Sequence, residues 1–377
     1  MANDLVDRFR AGMPVVGHRA YFDHAAVSPL PRPTVDAITR WLEQSSTTGC
    51  EFWPNWAREV EATRREVAGL LNAQPAEIAF TANTTSGISL IAEAWPWREG
   101  DNVVLPADEY PANQYPWINL HARGVEVRRI PMPARKLDLE SLFAACDDRT
   151  RIVALSWVGF LNGWRTDVAQ AAEMAHVRGA ALLVDAIQGV GALPFDVRAS
   201  NVDFVASNGQ KWLLGPESSG YLYIRRDRLE ELRPLGVGAH SVTQGNEYTR
   251  IETNWHPSAM RFEGGAWNMP GLLGLGQSVK LLRALDVAAI GERILNYTDE
   301  LVARLRSLGA IVHTLRERRE SNSGIVMFSL PDQDPLKVRQ RCVDRGIILS
   351  VRAGKLRVSP HGYNDDDELD RIIEALS

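Results

Sequence analysis

Apolar positions along the first two thirds of the chain follow two alternating rhythms. Short β-branched runs recur at 102–105, 125–130, 151–157, 180–184, 202–206 and 220–224. Between several of them apolar residues return every third or fourth position, as over 167–178. A strand that is apolar on both faces belongs between two helical layers, so the alternation predicts an α/β fold on a mostly parallel sheet.

After about residue 255 the rhythm changes. A long helical pattern over 269–308 leads to a strand at 324–330, a helix at 335–345, short strands at 347–351 and 356–358, and a closing helix at 366–376. At 377 residues the chain exceeds what a single core ordinarily serves. The expectation is a large domain over 21–255 and a smaller C-terminal α+β domain over 256–377, with residues 1–20 as an N-terminal segment packing on the small domain.

Other features of the chain exclude several functions. No run approaches the eighteen apolar residues of a membrane span, and the first twenty residues carry charges throughout, which predicts a cytoplasmic location and no membrane partner. A net charge of −5 carries no polyanion-binding signature, so nucleic acid is not expected as a partner. Cys50, Cys146 and Cys342 are odd in number and lack CxxC spacing, which argues against a disulfide framework or a metal site.

Only five of the 42 basic residues are lysines, and one of them stands in Asn208-Gly209-Gln210-Lys211-Trp212, between a polar turn and an apolar run. Arginine stays protonated, whereas a desolvated lysine can lose its proton and act as a nucleophile or Schiff-base former. Asp185 ends the apolar run 181–184. In a doubly wound sheet ligands sit beyond the carboxyl ends of the strands, so Asp185 and Lys211 can face one crevice. A carboxylate and an amine in one pocket suit pyridoxal phosphate: the lysine joins the aldehyde and the acid keeps the pyridine nitrogen protonated. Gln188 is placed to reach the ring's phenolic oxygen. The turn Asn83-Thr84-Thr85 before an apolar helix offers hydroxyls and free N–H groups to a phosphate. A dinucleotide site lacks its GxGxxG. Arg357, in a short apolar strand, suits bidentate capture of a carboxylate, with Arg352 as a nearby alternative.

In this order along the chain these segments resemble the class V aminotransferase and cysteine desulfurase branch of the fold-type I pyridoxal-phosphate enzymes. The resemblance runs from Tyr21-Phe22-Asp23-His24-Ala25-Ala26, through Glu109-Tyr110-Pro111-Ala112-Asn113 and Arg261-Phe262-Glu263-Gly264-Gly265, to Ser359-Pro360-His361-Gly362-Tyr363-Asn364. It implies a seven-stranded-type sheet in the large domain and a homodimer with active sites at the subunit interface. It also implies a cofactor Schiff base on Lys211, pairing of Asp185 with the ring nitrogen, and contact of Gln188 with the phenolic oxygen. By the same likeness Thr84, Asn208 and Gln210 fall at the phosphate, with Asn83 and Thr85 as further cofactor-binding candidates, and Tyr110 falls where many relatives stack a histidine on the ring. Arg357 falls where relatives bind the substrate α-carboxylate, and Arg352 and His24 are further candidate substrate ligands.

Some positions depart from the family pattern. The segment 350–357 is short and lacks the nucleophilic cysteine that desulfurases carry before the carboxylate-binding arginine, so persulfide chemistry is not expected. Gln210 replaces the histidine that usually precedes the lysine. Ala266 replaces a threonine that often reaches the partner's phosphate in relatives, a loss to be offset by Ser207 or by backbone N–H groups. The resulting expectation is an aminotransferase acting on an amino acid or small amine, with a carbon–sulfur lyase or an isopenicillin-N-epimerase-like epimerase as the alternative. Trp53, Trp56, Trp117, Trp157, Trp164, Trp212, Trp255 and Trp267 fall near segments expected to approach the pocket or the dimer interface, and some of them are expected to make it unusually aromatic.

Overall fold

A computed structural model of the chain describes residues 2–245, 247, 249 and 251–377. Helix α1 (Ala2–Ala11) and the two-residue strand β1 (Ala20–Tyr21) come first, followed by the long helices α2 (Arg32–Thr48) and α3 (Trp53–Leu71). The large sheet is formed by β2 (Ile78–Thr81), β3 (Asn102–Pro106), β4 (Glu126–Ile130), β5 (Thr150–Ser156), β6 (Ala181–Asp185), β7 (Phe204–Asn208) and β8 (Gly220–Ile224). Its lateral order is β2-β8-β7-β6-β5-β3-β4. Strand β8 runs antiparallel to both neighbours and all other pairs are parallel, so the α/β class and the mostly parallel seven-stranded sheet expected from the sequence are found.

Helices α4 (Thr84–Ala94), α5 (Tyr115–Ile118), α6 (Leu139–Ala144) and α7 (Val168–Val177) lie in the connections. Alternate residues of the central strands enter two separate cores. Val103, Leu105, Ala154, Leu183 and Phe204 join Ile88 and Ile91 of α4, while Val104, Val153, Val184 and Val205 join Val60 and Val67 of α3. Burial on both faces is why these strands read as unbroken apolar runs.

The remainder comprises α8 (Met269–Ala284), α9 (Val287–Ser307), β9 (Ile311–Val312), β10 (Val326–Ser329), α10 (Pro335–Asp344), β11 (Ile347–Ile348), β12 (Ser350–Arg352), β13 (Lys355–Val358) and α11 (Asp366–Leu376). The single helical pattern at 269–308 is thus two helices. Asp286 breaks it with φ 69°, and its carboxylate accepts the Ala288 N–H at 2.9 Å to cap α9. Helix α8 packs on α2 and α3, whereas α9 spans two cores: Ile290 and Ile294 lie in the one under the large sheet and Leu301 and Leu305 in the one under the small sheet.

The small sheet is antiparallel, in the order β12-β13-β10-β9, and β11 pairs in parallel with β1. Phe9 of α1 meets His361 and Tyr363 edge to face, and Arg10 forms ion pairs with Asp365 and Glu368, so the first residues lie against the last. Among the described residues no helix is long and apolar enough to cross a membrane.

Candidate active site

Asp185 and Asn208, the last residues of the neighbouring strands β6 and β7, line a cavity of about 490 Å³ that also receives the start of α4 and the tip of the small sheet. This is the crevice beyond the carboxyl ends of the strands that the topology favours for a ligand. Lys211 enters it from a tight turn. The Leu214 N–H donates to the Lys211 carbonyl at 3.0 Å and the Gly215 N–H to that of Gly209 at 2.8 Å. To close the turn Leu214 takes φ 55° while wholly buried, a left-handed conformation costly for a leucine and typical of sites that need a fixed side-chain exit.

Lys211 Nζ lies 5.6 Å from the centroid of the Tyr110 ring. Withdrawal from water is the chief cause that lowers its pKa to about 8; Arg357 and Arg352 lower it further, while Asp185 opposes them. The lysine can therefore exist as a free amine near neutral pH. Asp185 is buried, and its Oδ1 accepts the Ile187 N–H at 3.0 Å. Burial raises its pKa to about 6, against that hydrogen bond and the attraction of Lys211.

At the other end of the cavity Asn83 is the N-cap of α4, its Oδ1 accepting the Ser86 N–H at 2.9 Å. Thr84 and Thr85 follow as the first helical residues, where backbone N–H groups have no intrahelical acceptor. The Thr84 hydroxyl is buried without a partner, as is Oε1 of Gln210. Gly87 sets α4 close to β7, because a Cβ there would come within 3.2 Å of Ala206 Cβ. An N-terminal helix end and the orphaned Thr84 hydroxyl in one polar cavity suit a phosphate, and a buried carboxyl with a desolvated amine suits a pyridinium aldehyde. The residues present fit pyridoxal phosphate.

Gln188 lines the cavity with its amide already oriented: Nε2 donates to the Ala25 carbonyl and Oε1 accepts the Trp212 indole N–H, both at 3.0 Å. Arg357 and Arg352 line it as well. Arg357 is buried; one amino group donates to the Phe160 carbonyl at 2.8 Å, the other reaches Asp23 at 3.3 Å, and Nε is unpartnered. Arg352 is exposed at the tip of the β12–β13 hairpin, paired in register with Lys355. The two residues between them, Ala353 and Gly354, have φ of 48° and 70°. Two residues at positive φ make the shortest primed hairpin turn, which leaves no loop to carry a nucleophile into the cavity.

His24 departs from expectation and does not line the cavity. It is wholly buried, with Nδ1 2.8 Å from the Ser359 carbonyl and Nε2 2.7 Å from the Tyr363 hydroxyl. A carbonyl only accepts, so Nδ1 carries the proton and Nε2 takes the tyrosine's. Burial, with the adjacent His361, keeps the ring neutral, and both nitrogens are spent; His24 is a packing residue, not a substrate ligand. Ser207 lies outside the cavity lining too, opposite Tyr221 on the neighbouring strand. None of the eight tryptophans lines the cavity, whose aromatic walls are Tyr110 and Phe160. Trp53, Trp56 and Trp267 instead border a separate cleft of about 460 Å³ that includes Ala266.

Glu109 carries a signal that sequence reasoning gave no role. Its carboxylate accepts the Ser156 N–H at 2.6 Å and also the Ser156 hydroxyl, and Ser156 pairs in register with Asp185. Loss of water contact raises its pKa to about 7, against those hydrogen bonds and with help from the Asp185 charge. Asp23 and Phe160, which hold Arg357, were equally unassigned. Their partners lie 334 and 197 positions away, so no local pattern could have announced them.

Residues 20–366 match the family described as aminotransferase class-V. A probable cysteine desulfurase of Methanothermobacter thermautotrophicus is 31% identical over 389 residues, covering 97% of this chain and 96% of the relative. A cysteine desulfurase of Escherichia coli is 31% identical over 407 residues, covering 98% and 97%. Among solved structures, the apo cysteine desulfurase of Thermococcus onnurineus superposes with a TM-score of 0.89 at 23% identity, covering 98% and 96%. The cystine C–S lyase C-DES with its product cysteine persulfide does so with a TM-score of 0.89 at 24%, covering 97% and 98%.

Proposed function

This chain belongs to the class-V aminotransferase family of pyridoxal-phosphate enzymes, and on that premise we propose that it cleaves the Cβ–S bond of a sulfur-bearing amino acid by β-elimination. The observation that carries this reading is the two-residue turn at Ala353-Gly354 in a chain whose relatives are named for carbon–sulfur chemistry. None of the three cysteines lines the cavity: Cys50 is exposed, and Cys146 and Cys342 are buried elsewhere. A desulfurase moves sulfur onto an enzyme thiol; with no thiol in the cavity, the sulfur leaves as the substrate's own thiolate.

Bound at this site, pyridoxal phosphate supplies an aldehyde that takes the substrate amine and a ring that accepts electron density from the α-carbon. Thr84, Thr85, Asn208, Gln210 and the α4 N-terminus would hold the phosphate, Asn83 shapes that terminus, and Asp185 would keep the ring nitrogen protonated. Tyr110, beside Lys211, would cover the ring, and Gln188 would offer its remaining N–H to the phenolic oxygen. Arg357 grips the substrate α-carboxylate. Lys211, its proton affinity lowered by burial and the two arginines, removes the α-proton. The electron pair left on Cα expels the thiolate from Cβ. With one water consumed, the substrate R–S–CH2–CH(NH3⁺)–COO⁻ gives R–SH, pyruvate and ammonium, with no net oxidation or reduction. In this reading residues 21–255 carry the cofactor cradle and 256–377 supply the arginines, and the enzyme works as a homodimer in the cytoplasm.

The test is a product analysis with the purified holoenzyme and S-alkyl cysteines or cystine. Stoichiometric pyruvate and ammonium, lost in Lys211→Ala, are expected. Alanine with enzyme-bound persulfide would mean a desulfurase. An amino product formed only when a keto acid acceptor is supplied would restore transamination.

A further inference from the structure

Three side-chain cations border the cavity: Lys211, Arg357 and Arg352. Two of them have a carboxylate of the chain to answer them. Arg357 is ion-paired with Asp23, and Lys211 experiences the attraction of Asp185. Arg352 makes no ion pair among the described residues; its one hydrogen bond runs from a guanidinium amino group back to the carbonyl of Val351 at 3.0 Å. Its charge is felt at Lys211 and at Arg357, both of whose proton affinities it lowers, so the guanidinium stands close to the reacting end of the cavity. Gathering a third like charge there without a counter-charge costs free energy, and such uncompensated arrangements mark places where an anion is received.

The hairpin explains why this arginine is held at the rim. Its pairing with Lys355 and the two-residue turn fix where its backbone ends, and nothing longer covers it. The phosphate has the helix end with Thr84 and Gln210, and the substrate α-carboxylate has Arg357, so Arg352 is left for a second negative charge brought by the substrate itself. Resting on the carbon–sulfur lyase reading, we propose that Arg352 selects sulfur amino acids whose leaving thiol carries its own carboxylate, and that the substrate class bears two carboxylates: a cysteine thioether or disulfide with an acidic tail. Arg352 thus governs specificity, and the bond broken is the Cβ–S bond described above.

The experiment compares kcat/KM for S-carboxymethyl-cysteine and S-ethyl-cysteine, which differ in the charge of the tail, in the wild-type holoenzyme, Arg352→Gln and Arg352→Lys. The wild type is expected to favour the acidic tail. In Arg352→Gln the acidic-to-neutral ratio falls by about five- to tenfold, the range of one partly solvated charge-assisted hydrogen bond, and Arg352→Lys retains part of it. A ratio near one in the wild type, or one unchanged in Arg352→Gln because both substrates suffer alike, overturns the proposal; the latter would put Arg352 at the α-carboxylate. If neither thioether yields pyruvate the lyase reading fails separately. The same two compounds are then titrated as ligands against the cofactor absorbance, where equal affinity for the wild type overturns the role of Arg352.

Discussion

Lys211 is held at a free-energy cost to the fold, and its removal should show it. Consider Lys211→Met in the apoprotein, where the long apolar side chain fills the same space without a charge. An amine lowered from 10.5 to about 8 by burial carries a ceiling of about 3 kcal/mol at about 1.4 kcal/mol per tenfold change in proton affinity. Lys211 is only half-buried and reaches water through the cavity mouth, so the expected gain at pH 7 is about 1–2 kcal/mol. The sign follows from the direction of the change. The folded state binds this proton less tightly than the unfolded chain, so its contribution is best above pH 10.5, where the amine is neutral in both states. It is lost as pH falls through about 8. Urea unfolding of both apoproteins at pH 7 and pH 9.5 should therefore give a more stable variant at pH 7 and a smaller difference at pH 9.5. A variant less stable than the wild type at pH 7, or a gain independent of pH, would refute the argument that desolvation dominates at this lysine.

Two further outcomes are expected. Thr84→Val removes a buried hydroxyl that has no partner in the apoprotein, so cofactor affinity measured by absorbance titration should weaken about tenfold, with apoprotein stability little changed. Glu109 favours folding fully below its ordinary value of 4.5 and loses that contribution as pH rises through about 7. Between pH 4.5 and 7.5 the unfolding free energy of the wild-type apoprotein should fall about 1–2 kcal/mol more than that of Glu109→Gln; parallel curves would show that burial of this carboxyl has been overstated.

The parts of the molecule that could be read from sequence are those whose causes are local. Five strands of the large sheet announced themselves because they are buried on both faces, the edge strand β4 by its β-branched residues, and Lys211 and Asp185 because they end or follow such strands. The two-residue strands β1 and β9 are too short for a period to register. The single helix expected at 269–308 failed at Asp286, where one residue in a left-handed conformation outweighs forty positions of helical pattern. His24 occupies a segment that resembles a binding motif, yet residues 359–363 fold over it and spend both its nitrogens. The tryptophans suggested an aromatic pocket by proximity in sequence, but apolar bulk went mainly to cores and to a different cleft.

Strand β1 pairs with β11, and the cavity wall runs from Ala25 to Arg357, which has a bearing on how the protein is born. Synthesis at 5–20 residues per second separates those two wall residues by roughly 17 to 66 seconds. Only in the last part of that interval, once residue 211 has been made, can a ribosome-bound chain hold the cradle for the cofactor phosphate, and it then still lacks the arginines and the mate of its first strand. The complete cavity is therefore a property of the finished polypeptide, and a chain that stalls before residue 347 is left with strand β1 unpaired.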